Sequence, residues 1–452
     1  MMHLLPSLAL AGAVVLAYGN SLGGVFQFDD FNVIVGNPAV HSWQAWLADA
    51  PTGIRPLLKF SYLLNWTWGA GTFGFHLLNI LIQAINAILI YHLSRKFLED
   101  LASPSPKAAA LASALIFALH PVQTEAVAYI SGRSTSLMAL FYLGSLLAYA
   151  HGRGRDNRRL LYLASPLLFI MAVLTKETAV TLPLALLLWD RTSAPKDPWK
   201  NTLRNLGIHS GMLGIMAVVL AVHRGYLKFF EACFQTRGWE ENLSIQINAL
   251  PHLFSRLFFL RSLNIDPDLP LVSAWNPLVL LQALLLAALI SLGLICLRRR
   301  PSLGFGLLWF FIHLLPTNSV IPRLDITNDR QLYLASWGIF LVFSTELERI
   351  AENLKPGRLL PVAATALLAF TLGLATMSRN EVYKSEVALW EDTAQKSPHK
   401  ARVHNNLGVA YYLSGRYGDA ERSYLTALGL KPDDSLARNN LTFLENLLAK
   451  KG

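Results

Sequence analysis

The stretch "LVLLQALLLAALISLGLICLRRR", from Leu278 to Arg300, contains the feature that decides the fold. Its first part, residues 278–297, is almost entirely apolar and long enough to cross a hydrocarbon core, which takes roughly 20 helical residues. An arginine cluster follows directly, and clusters of this kind favour the cytoplasmic side of a membrane. The stretch therefore predicts a membrane-spanning helix of defined orientation.

The rest of the chain has the same character. Of its 452 residues 53% are hydrophobic and only 15% are charged, whereas a soluble domain averages about 25% charged residues. We therefore predict an all-α, polytopic membrane protein. Its apolar runs suggest about eleven transmembrane helices, at residues 4–19, 75–94, 108–120, 134–150, 160–175, 178–190, 206–223, 278–297, 303–317, 332–345 and 359–377.

The net charge of +10 lies mostly in short loops between these runs. Every second loop is basic, which indicates that these loops lie on the cytoplasmic side. We therefore expect the positive charge to face membrane lipid, and we expect no nucleic acid partner. Counting crossings from the basic loops places the alternate loops and everything after Met377 on the outer side. We predict a membrane domain at 1–378, with a first outer loop at 20–74, and a second domain at 379–452.

The second domain contains a repeat. "NNLGVAY" from Asn405 recurs in weaker form as "NNLTFLE" from Asn439, an offset of 34 residues, which is the tetratricopeptide period. "SEVALWEDTAQKSPHK" matches the second helix of a preceding repeat, with Trp390 at the position of Tyr424. Because at least three repeats are usually needed for independent stability, we expect this tail to rest on the membrane domain. It could bind a peptide, or serve as a cap or dimer contact.

Charged residues gather in the predicted outer loops, where they are usually functional or interfacial. The segments "FDDF", "RPLLKF", "HPVQTEAVAYISGRS", "LTKETAV" and "IPRLDITNDRQLYLAS" contain Asp29, Asp30, Arg55, His120, Glu125, Arg133, Lys176, Glu177, Arg323, Asp329 and Arg330. If the chain is helical after Pro121, residues 125, 129 and 133 share one face.

Carboxylates and lone cations at one membrane face suit a ligand with an anionic headgroup and an apolar tail, such as a lipid-linked phosphosugar. The cations would stabilise the departing phosphate, and a carboxylate would take the proton of an attacking hydroxyl. Each group also has a simpler interpretation: loop or cap carboxylates, snorkelling cations, local ion pairs, and a helix-end role for His120. No carboxylate cage is evident, so we favour no metal requirement, although a divalent ion stays possible.

Taken together, these segments resemble the transmembrane and tetratricopeptide-repeat-containing protein O-mannosyltransferases of the GT-C glycosyltransferase superfamily. The match rests on "FDDFNVIVGNPAV", "RPLLKFSYLLN", "FHLLNILIQ", "HPVQTEAVAYISGRS", "LTKETAVTLPL", "LLWFFIHLLPTNSVIP", "NDRQLYLAS" and the tail repeat, in the family's order. The family's usual "ER-x-LYLPS" reads "DRQLYLAS" here, which leaves the role of Asp329 open.

The resemblance implies a GT-C fold and an enzyme that moves one mannose-like sugar from a polyprenyl-phosphate donor to an acceptor hydroxyl. The acceptor would be a protein Ser or Thr, or a glycan, and the tail could bind it. By position, Asp29 and Asp30 match the catalytic acids, Arg133, Lys176 and Arg330 match cations around the donor phosphate, and Tyr333 matches the motif's aromatic residue. Arg55, His120, Glu125, Glu177, Arg323 and Asp329 would support them.

Two other classes stay open: an O-antigen-ligase or oligosaccharide-polymerase type of enzyme, and a non-catalytic scaffold whose repeats recruit a partner. The first typically relies on a large late outer loop, whereas the acids here cluster in the first loop. We expect a bacterial inner membrane with the repeats in the periplasm, or the endoplasmic reticulum membrane if the chain is eukaryotic.

Overall fold

The computed structural model describes residues 4–154, 157–270, 276–323, 325–354 and 359–450. Its regular elements are helical throughout these ranges. The α-helices are α1 Leu5–Tyr18, α2 Trp43–Asp49, α3 Pro56–Trp68, α4 Gly71–Asp100, α5 Pro106–Leu119, α6 Thr124–Val127, α7 Arg133–Gly154, α8 Ser165–Thr175, α9 Leu182–Ser193, α10 Trp199–Val222, α11 Arg224–Thr236, α12 Trp239–Ser255, α13 Pro277–Arg299, α14 Pro301–Leu314, α15 Leu332–Leu354, α16 Leu359–Val382, α17 Glu386–Lys396, α18 Ala401–Leu413, α19 Tyr417–Leu430 and α20 Ser435–Ala449.

The chain is a multi-pass membrane protein, but the predicted count of eleven crossings is not confirmed. Among the described residues, five helices are long and apolar enough to cross a membrane: Leu5–Gly23, Gly71–Asp100, Trp199–Val222, Pro277–Arg299 and Pro361–Val382. A sixth candidate is the pair Pro106–Leu119 and Pro121–Val127, which is bent by 52°. The other predicted spans are also helical, but segments such as Leu160–Thr175 and Pro301–Leu314 are short for a core about 30 Å thick.

The membrane helices share one apolar core, to which α1, α4, α5, α7, α9, α14, α15 and α16 all contribute. Aromatic rings fill its centre, where the Trp309 and Trp337 centroids lie 4.6 Å apart in an edge-on arrangement. The indole N–H groups are satisfied, because Trp309 donates to the Leu334 carbonyl and Trp337 donates to Ser94 Oγ. This packing joins α14 to α15, between which lies the segment that contains Asp329 and Arg330.

The tail helices pack as the sequence pattern indicates for a tetratricopeptide unit. A Cβ atom on Gly408 of α18 would lie 2.5 Å from the Tyr424 ring of α19, so only glycine allows this approach. Trp390 of α17 is buried against Val403 and Leu407 of α18, as expected for the second helix of a preceding repeat. Helices α17 and α18 also contact the loops of the membrane part, described below.

Candidate active site

Asp30 anchors the first loop, and its carboxylate is buried away from solvent. Its Oδ2 atom accepts from the Gln27 N–H at 3.0 Å, and its Oδ1 atom accepts from the Ser131 N–H at 2.8 Å and from the Ser131 hydroxyl. Burial raises the pKa of Asp30 to about 7, although these hydrogen bonds oppose the shift. The carboxylate thus ties the first loop to the connection before α7.

Asp29 is less enclosed than its neighbour. Its backbone N–H donates to the Tyr129 hydroxyl at 2.9 Å, and that hydroxyl is the one side chain of the described residues that hydrogen-bonds to its carboxylate, whereas three hydrogen bonds hold the carboxylate of Asp30. Partial burial raises the pKa of the Asp29 carboxyl, while the nearby Arg330 guanidinium lowers it. Of the two paired acids, Asp29 is the one available to a ligand.

Arg330 connects this acid to the interior. Its backbone N–H donates to Glu125 Oε2 at 3.1 Å, its Nε lies 3.4 Å from Glu125 Oε1, and its guanidinium lies 5.9 Å from the centre of the Tyr129 ring. The predicted continuous helical face through residues 125, 129 and 133 is wrong, because α6 ends at Val127 and α7 begins at Arg133. The break turns Glu125 and Tyr129 toward Arg330 and leaves Arg133 elsewhere.

Three of the predicted cations line one cavity of about 480 Å³, a volume that includes the space at its mouth. Lys176, Arg323 and Arg330 line it, together with Thr135, Met138, Thr178, His313, Thr317, Asn328, Gln331 and Leu334, and no carboxylate is among these residues. Lys176 is 8% exposed, and its ammonium donates to Thr135 Oγ1 at 2.7 Å. Burial, then Arg55, Arg330 and Arg323, hold the pKa of Lys176 well below its ordinary value.

Several polar atoms at this cavity have no hydrogen-bond partner among the residues that the structure describes. They are Oδ1 of Asn328, Oε1 and Nε2 of Gln331, and Nε2 of His313, all of them buried. Buried polar groups in proteins are normally hydrogen-bonded, so these atoms indicate a site for a polar ligand. The amide oxygens and His313 Nε2, whose Nδ1 faces the Trp309 carbonyl, accept hydrogen bonds and therefore suit ligand hydroxyls. The three cations of the cavity suit an anionic group of the same ligand.

An apolar groove continues from this cavity. It shares Thr178 and Arg323 with the cavity and is otherwise lined mainly by apolar side chains, including Leu184, Phe229 and Phe230. The last two lie on α11, directly after the predicted membrane helix α10. A ligand with its charge at Arg323 could therefore place a hydrocarbon chain in the groove.

Arg133 and Tyr333 do not reach the cavity. The fully buried Arg133 guanidinium donates to Asn79 Oδ1 at 2.7 Å and to the carbonyls of Ser61 and Phe75. The Tyr333 hydroxyl is buried among amide side chains of α4, donating to one and accepting from the other. Both predicted phosphate contacts are corrected on this ground: these residues join helices and hold the backbone that surrounds the site.

The predicted supporting residues have separate positions. Arg55 forms a bidentate pair with Glu177, at 2.9 Å from Nε to Oε2 and 2.5 Å from Nη2 to Oε1. Burial raises the pKa of Glu177, but Arg55 outweighs it and lowers that pKa to about 2. His120 is a satisfied helix-end group, accepting from the Val122 N–H and contacting the Leu257 carbonyl.

Asp329 points away from the cavity, toward Arg256 and Asn264, which were not among the predicted site residues. Its carboxylate pairs with the fully buried Arg256 and accepts from the Asn264 N–H at 2.9 Å. The arginines of the apolar segment 249–263 were the available signal, because an arginine in such a run needs an internal partner. Thr135, Asn328 and Gln331 had no charge to distinguish them and were also missed.

No group of three or more His, Cys, Asp or Glu side chains suited to a metal ion occurs within the described part of the chain. Metal independence stays a prediction, since a substrate phosphate can itself supply ligands to a divalent ion.

Comparison with known proteins gives two family matches. Residues 51–223 match the dolichyl-phosphate-mannose-protein mannosyltransferase family, and residues 401–434 match the tetratricopeptide repeat family. The first match covers α3 through α10 and therefore includes Lys176 and Arg133, and the second covers α18 and α19.

Relatives align with nearly the whole chain. A protein O-mannosyl-transferase of Caenorhabditis elegans is 25% identical over 94% of this chain, and human protein O-mannosyl-transferase TMTC1 is 26% identical over 96%. The chain spans 62% and 56% of the length of these two relatives. Drosophila melanogaster protein O-mannosyl-transferase Tmtc2 is 34% identical over a shorter stretch, 44% of this chain and 23% of its own length. The resemblance predicted from the motifs is thereby confirmed.

Proposed function

We infer that the chain is a TMTC-like protein O-mannosyl-transferase, and we propose that it moves a single mannose-like sugar from a polyprenyl-phosphate donor to a serine or threonine hydroxyl of a protein. The similarity supports a glycosyltransferase that acts on protein. The donor, the mechanism and the residue roles are part of the proposal.

The observation that carries the proposal is the cationic cavity. Lys176, Arg323 and Arg330 line it without a carboxylate among the lining residues. Glu125 pairs with Arg330 from outside this lining, but bringing three cations together in a mostly buried site is still costly. A phosphate group would compensate this cost, and its oxygens would accept from both arginines and from the ammonium. The unpartnered amide oxygens of Asn328 and Gln331 would accept from sugar hydroxyls, and Gln331 Nε2 would donate to the phosphate or the sugar.

The apolar groove gives the lipid chain of the donor a place. Because Thr178 and Arg323 line both the cavity and the groove, a phosphate in the cavity puts its first isoprenyl unit at the groove's entrance. A free sugar nucleotide would leave this apolar surface uncovered, so the groove supports a lipid-linked donor.

Asp29 is the better candidate for the general base. Both oxygens of Asp30 are occupied by hydrogen bonds from Gln27 and Ser131, which suits a residue that fixes the loop. The Asp29 carboxylate is more open, and Arg330, which lines the cavity, is the main cation that acts on it. We therefore assign proton abstraction to Asp29 and loop anchoring to Asp30.

The reaction balances with these groups alone. The acceptor oxygen attacks the anomeric carbon while its proton passes to the Asp29 carboxylate. The bond between the anomeric carbon and the phosphate oxygen breaks, and polyprenyl phosphate leaves with the electron pair and the additional negative charge. Lys176, Arg323 and Arg330 stabilise that charge, which grows in the transition state. A single displacement inverts the anomeric configuration.

The finer topology belongs to the same proposal. A GT-C arrangement with about eleven crossings, of which five or six pass the length and hydropathy test within the described ranges, would place Asp29, the cavity and the tail on one outer face. A domain boundary near residue 378 and a periplasmic or lumenal tail follow from that topology.

The donor class can be tested directly with purified protein in nanodiscs. Polyprenyl-phosphate monosaccharides and a polyprenyl-diphosphate oligosaccharide are offered with a serine- and threonine-containing acceptor protein. We expect sugar transfer only from a monophosphate donor. Transfer from the diphosphate donor alone would indicate a ligase-type enzyme instead, and binding of the acceptor without transfer from any donor would favour the scaffold.

A further inference from the structure

The tail helices α17 and α18 hold the loops that carry the candidate site. We propose that Arg402 of α18 is a positioning residue for that site: through Asp325 it holds the loop that carries Arg330 next to Asp29. This inference rests on the proposed function and adds a role for the tail within the transfer step, separate from any binding of the acceptor.

The first loop is held by α17 and the turn before it. The backbone of Phe28 has a φ of 46°, a left-handed conformation that is unusual for a residue other than glycine. Its ring packs edge-on against Trp390, with centroids 5.1 Å apart, and its N–H donates to Glu386 Oε1 at 3.3 Å. Gln27 donates to the Tyr383 carbonyl at 2.6 Å. These contacts fix the residue that precedes Asp29.

The segment around Asn264 and Asp266 forms the second connection. Its Asp266 carboxylate accepts from Lys400 at 2.5 Å and from Arg402 Nε at 2.9 Å. The Asn264 side chain donates to Ser397 Oγ at 2.7 Å, and that hydroxyl donates to the Asp266 carbonyl. The Asn264 N–H holds Asp329, which directly precedes Arg330, so the tail reaches the cavity residue through a short chain of contacts.

Arg402 completes the connection at the other end of that loop. Its Nη2 donates to Asp325 Oδ1 at 2.7 Å while its Nε binds Asp266. Residues 325–330 are therefore held at Asp325 by Arg402 and at Asp329 by Arg256. Arg330 lies at the end of this segment, which is fixed at two points. Its guanidinium therefore has a defined orientation, although Glu125 is its only ion-pair partner within the described residues.

The same ion pair contributes to the charge around Asp29. The groups that act on the Asp29 carboxyl are Arg330 and Asp325 of the loop, Tyr129, and Arg402 of the tail, with Asp30 adjacent in the chain. Arg330 and Arg402 lower the pKa of Asp29, and Asp325 raises it. Removing one member of the Arg402–Asp325 pair thus changes both the position of the loop and the charge at the base.

The alternative is that the tail merely stabilises the protein. Arg402→Gln and Asp325→Asn both break the Arg402–Asp325 ion pair, and Arg402→Gln also loses the contact with Asp266. A purely structural role therefore predicts, for each variant, a loss of activity that is the same at every pH. A positioning role predicts a lower kcat for both variants and opposite shifts of the acid limb of the pH–rate profile. That limb moves to higher pH in Arg402→Gln, because a cation that lowers the pKa of the base is gone, and to lower pH in Asp325→Asn.

The test measures release of polyprenyl phosphate by the full chain in nanodiscs, as kcat and donor KM across pH. We expect Arg402→Gln to lower kcat by about 10- to 100-fold, the range that a misplaced catalytic group produces, and Arg402→Lys to recover part of the loss. Arg422→Gln is the matched control, because the Arg422 side chain is 78% exposed and its ion-pair partner in the described part of the chain is Asp419 of its own helix. The kinetics of this variant should equal those of the wild type.

The outcomes separate the two proposals. No release by the wild type overturns the proposed function and this inference with it. Release by the wild type together with an unchanged kcat in Arg402→Gln, or acid limbs that do not move apart in the two variants, overturns the inference alone.

Discussion

Replacing Lys176 by methionine should weaken the binding of polyprenyl phosphate and stabilise the empty protein. The ammonium has three donor hydrogens, of which one is used by Thr135, so two are available to a phosphate in the cavity. A hydrogen bond to a charged group contributes about 1.5–3 kcal/mol. If one of these donors binds the phosphate, the dissociation constant should rise roughly 10- to 150-fold, at about 1.4 kcal/mol per tenfold change.

The empty protein should respond in the opposite direction. Lys176 is 8% exposed and faces Arg323 and Arg330 across the cavity without a carboxylate among the lining residues. Its pKa is lowered in the folded state, so the unfolded state binds the proton more tightly. The charged Lys176 therefore lowers the free energy of unfolding by its full amount below the folded pKa. This destabilisation disappears as the pH rises toward the ordinary lysine pKa of about 10.4. The stabilisation of Lys176→Met should shrink over that interval.

The assay combines calorimetric titration with polyprenyl phosphate and thermal unfolding of the empty protein at several pH values. Lys59→Met is the control, because Lys59 already pairs with Asp49 at 2.6 Å, away from the cavity. It should leave binding unchanged and lower stability slightly. A Lys176→Met variant that binds polyprenyl phosphate as the wild type does, or that is less stable when empty, would refute the account of the cavity.

Three further predictions follow from the same geometry. Asp30→Asn should reduce the pH dependence of stability. Burial raises the pKa of Asp30 to about 7 in the folded protein, so the wild type should lose stability as the pH rises from about 4 to 7. The variant should lose less over the same interval, as measured by thermal unfolding. Arg133→Met should lower the free energy of unfolding by about 1–3 kcal/mol for each buried acceptor left unpaired, without raising the donor KM of the folded fraction; a raised KM would return Arg133 to the phosphate site. Turnover should be unchanged in EDTA, and a loss that magnesium or manganese restores would show a metal requirement.

The sequence predicted the cationic character of the cavity better than it predicted which residues line it. Charge and loop position were enough to single out Lys176, Arg323 and Arg330, which do line one cavity. The same reasoning included Arg133, because a lone cation before a span has the same sequence signature whether it faces a ligand or backbone carbonyls. The break between α6 and α7 directs Arg133 to the carbonyls and away from the ligand. At this break the chain approaches itself so closely that a Cβ on Gly132 would collide with the Glu125 carbonyl.

The fold shows a similar division. Each of the eleven predicted apolar runs is helical, although helices such as α3, α11 and α12 lie outside them. Length and hydropathy identify only five or six helices as crossings within the described ranges. Helices interrupted at a polar turn, such as α8 and α9 around Lys176, are too short by that measure although they are packed against the shared core. The contacts of the tail with Phe28 and Asp325 link residues more than 70 positions apart, and no local pattern records them.

The central claim is that this chain transfers a sugar from a polyprenyl-phosphate donor with Asp29 as the general base. One comparison tests it most directly. Purified wild type and Asp29→Asn are incubated with polyprenyl-phosphate mannose and an acceptor protein, and polyprenyl phosphate is measured over time. A positioned general base contributes about 100-fold or more, so we expect release by the wild type and a loss of at least that factor in Asp29→Asn, with normal donor binding. Equal release by the two proteins, or no release by the wild type, would contradict the account.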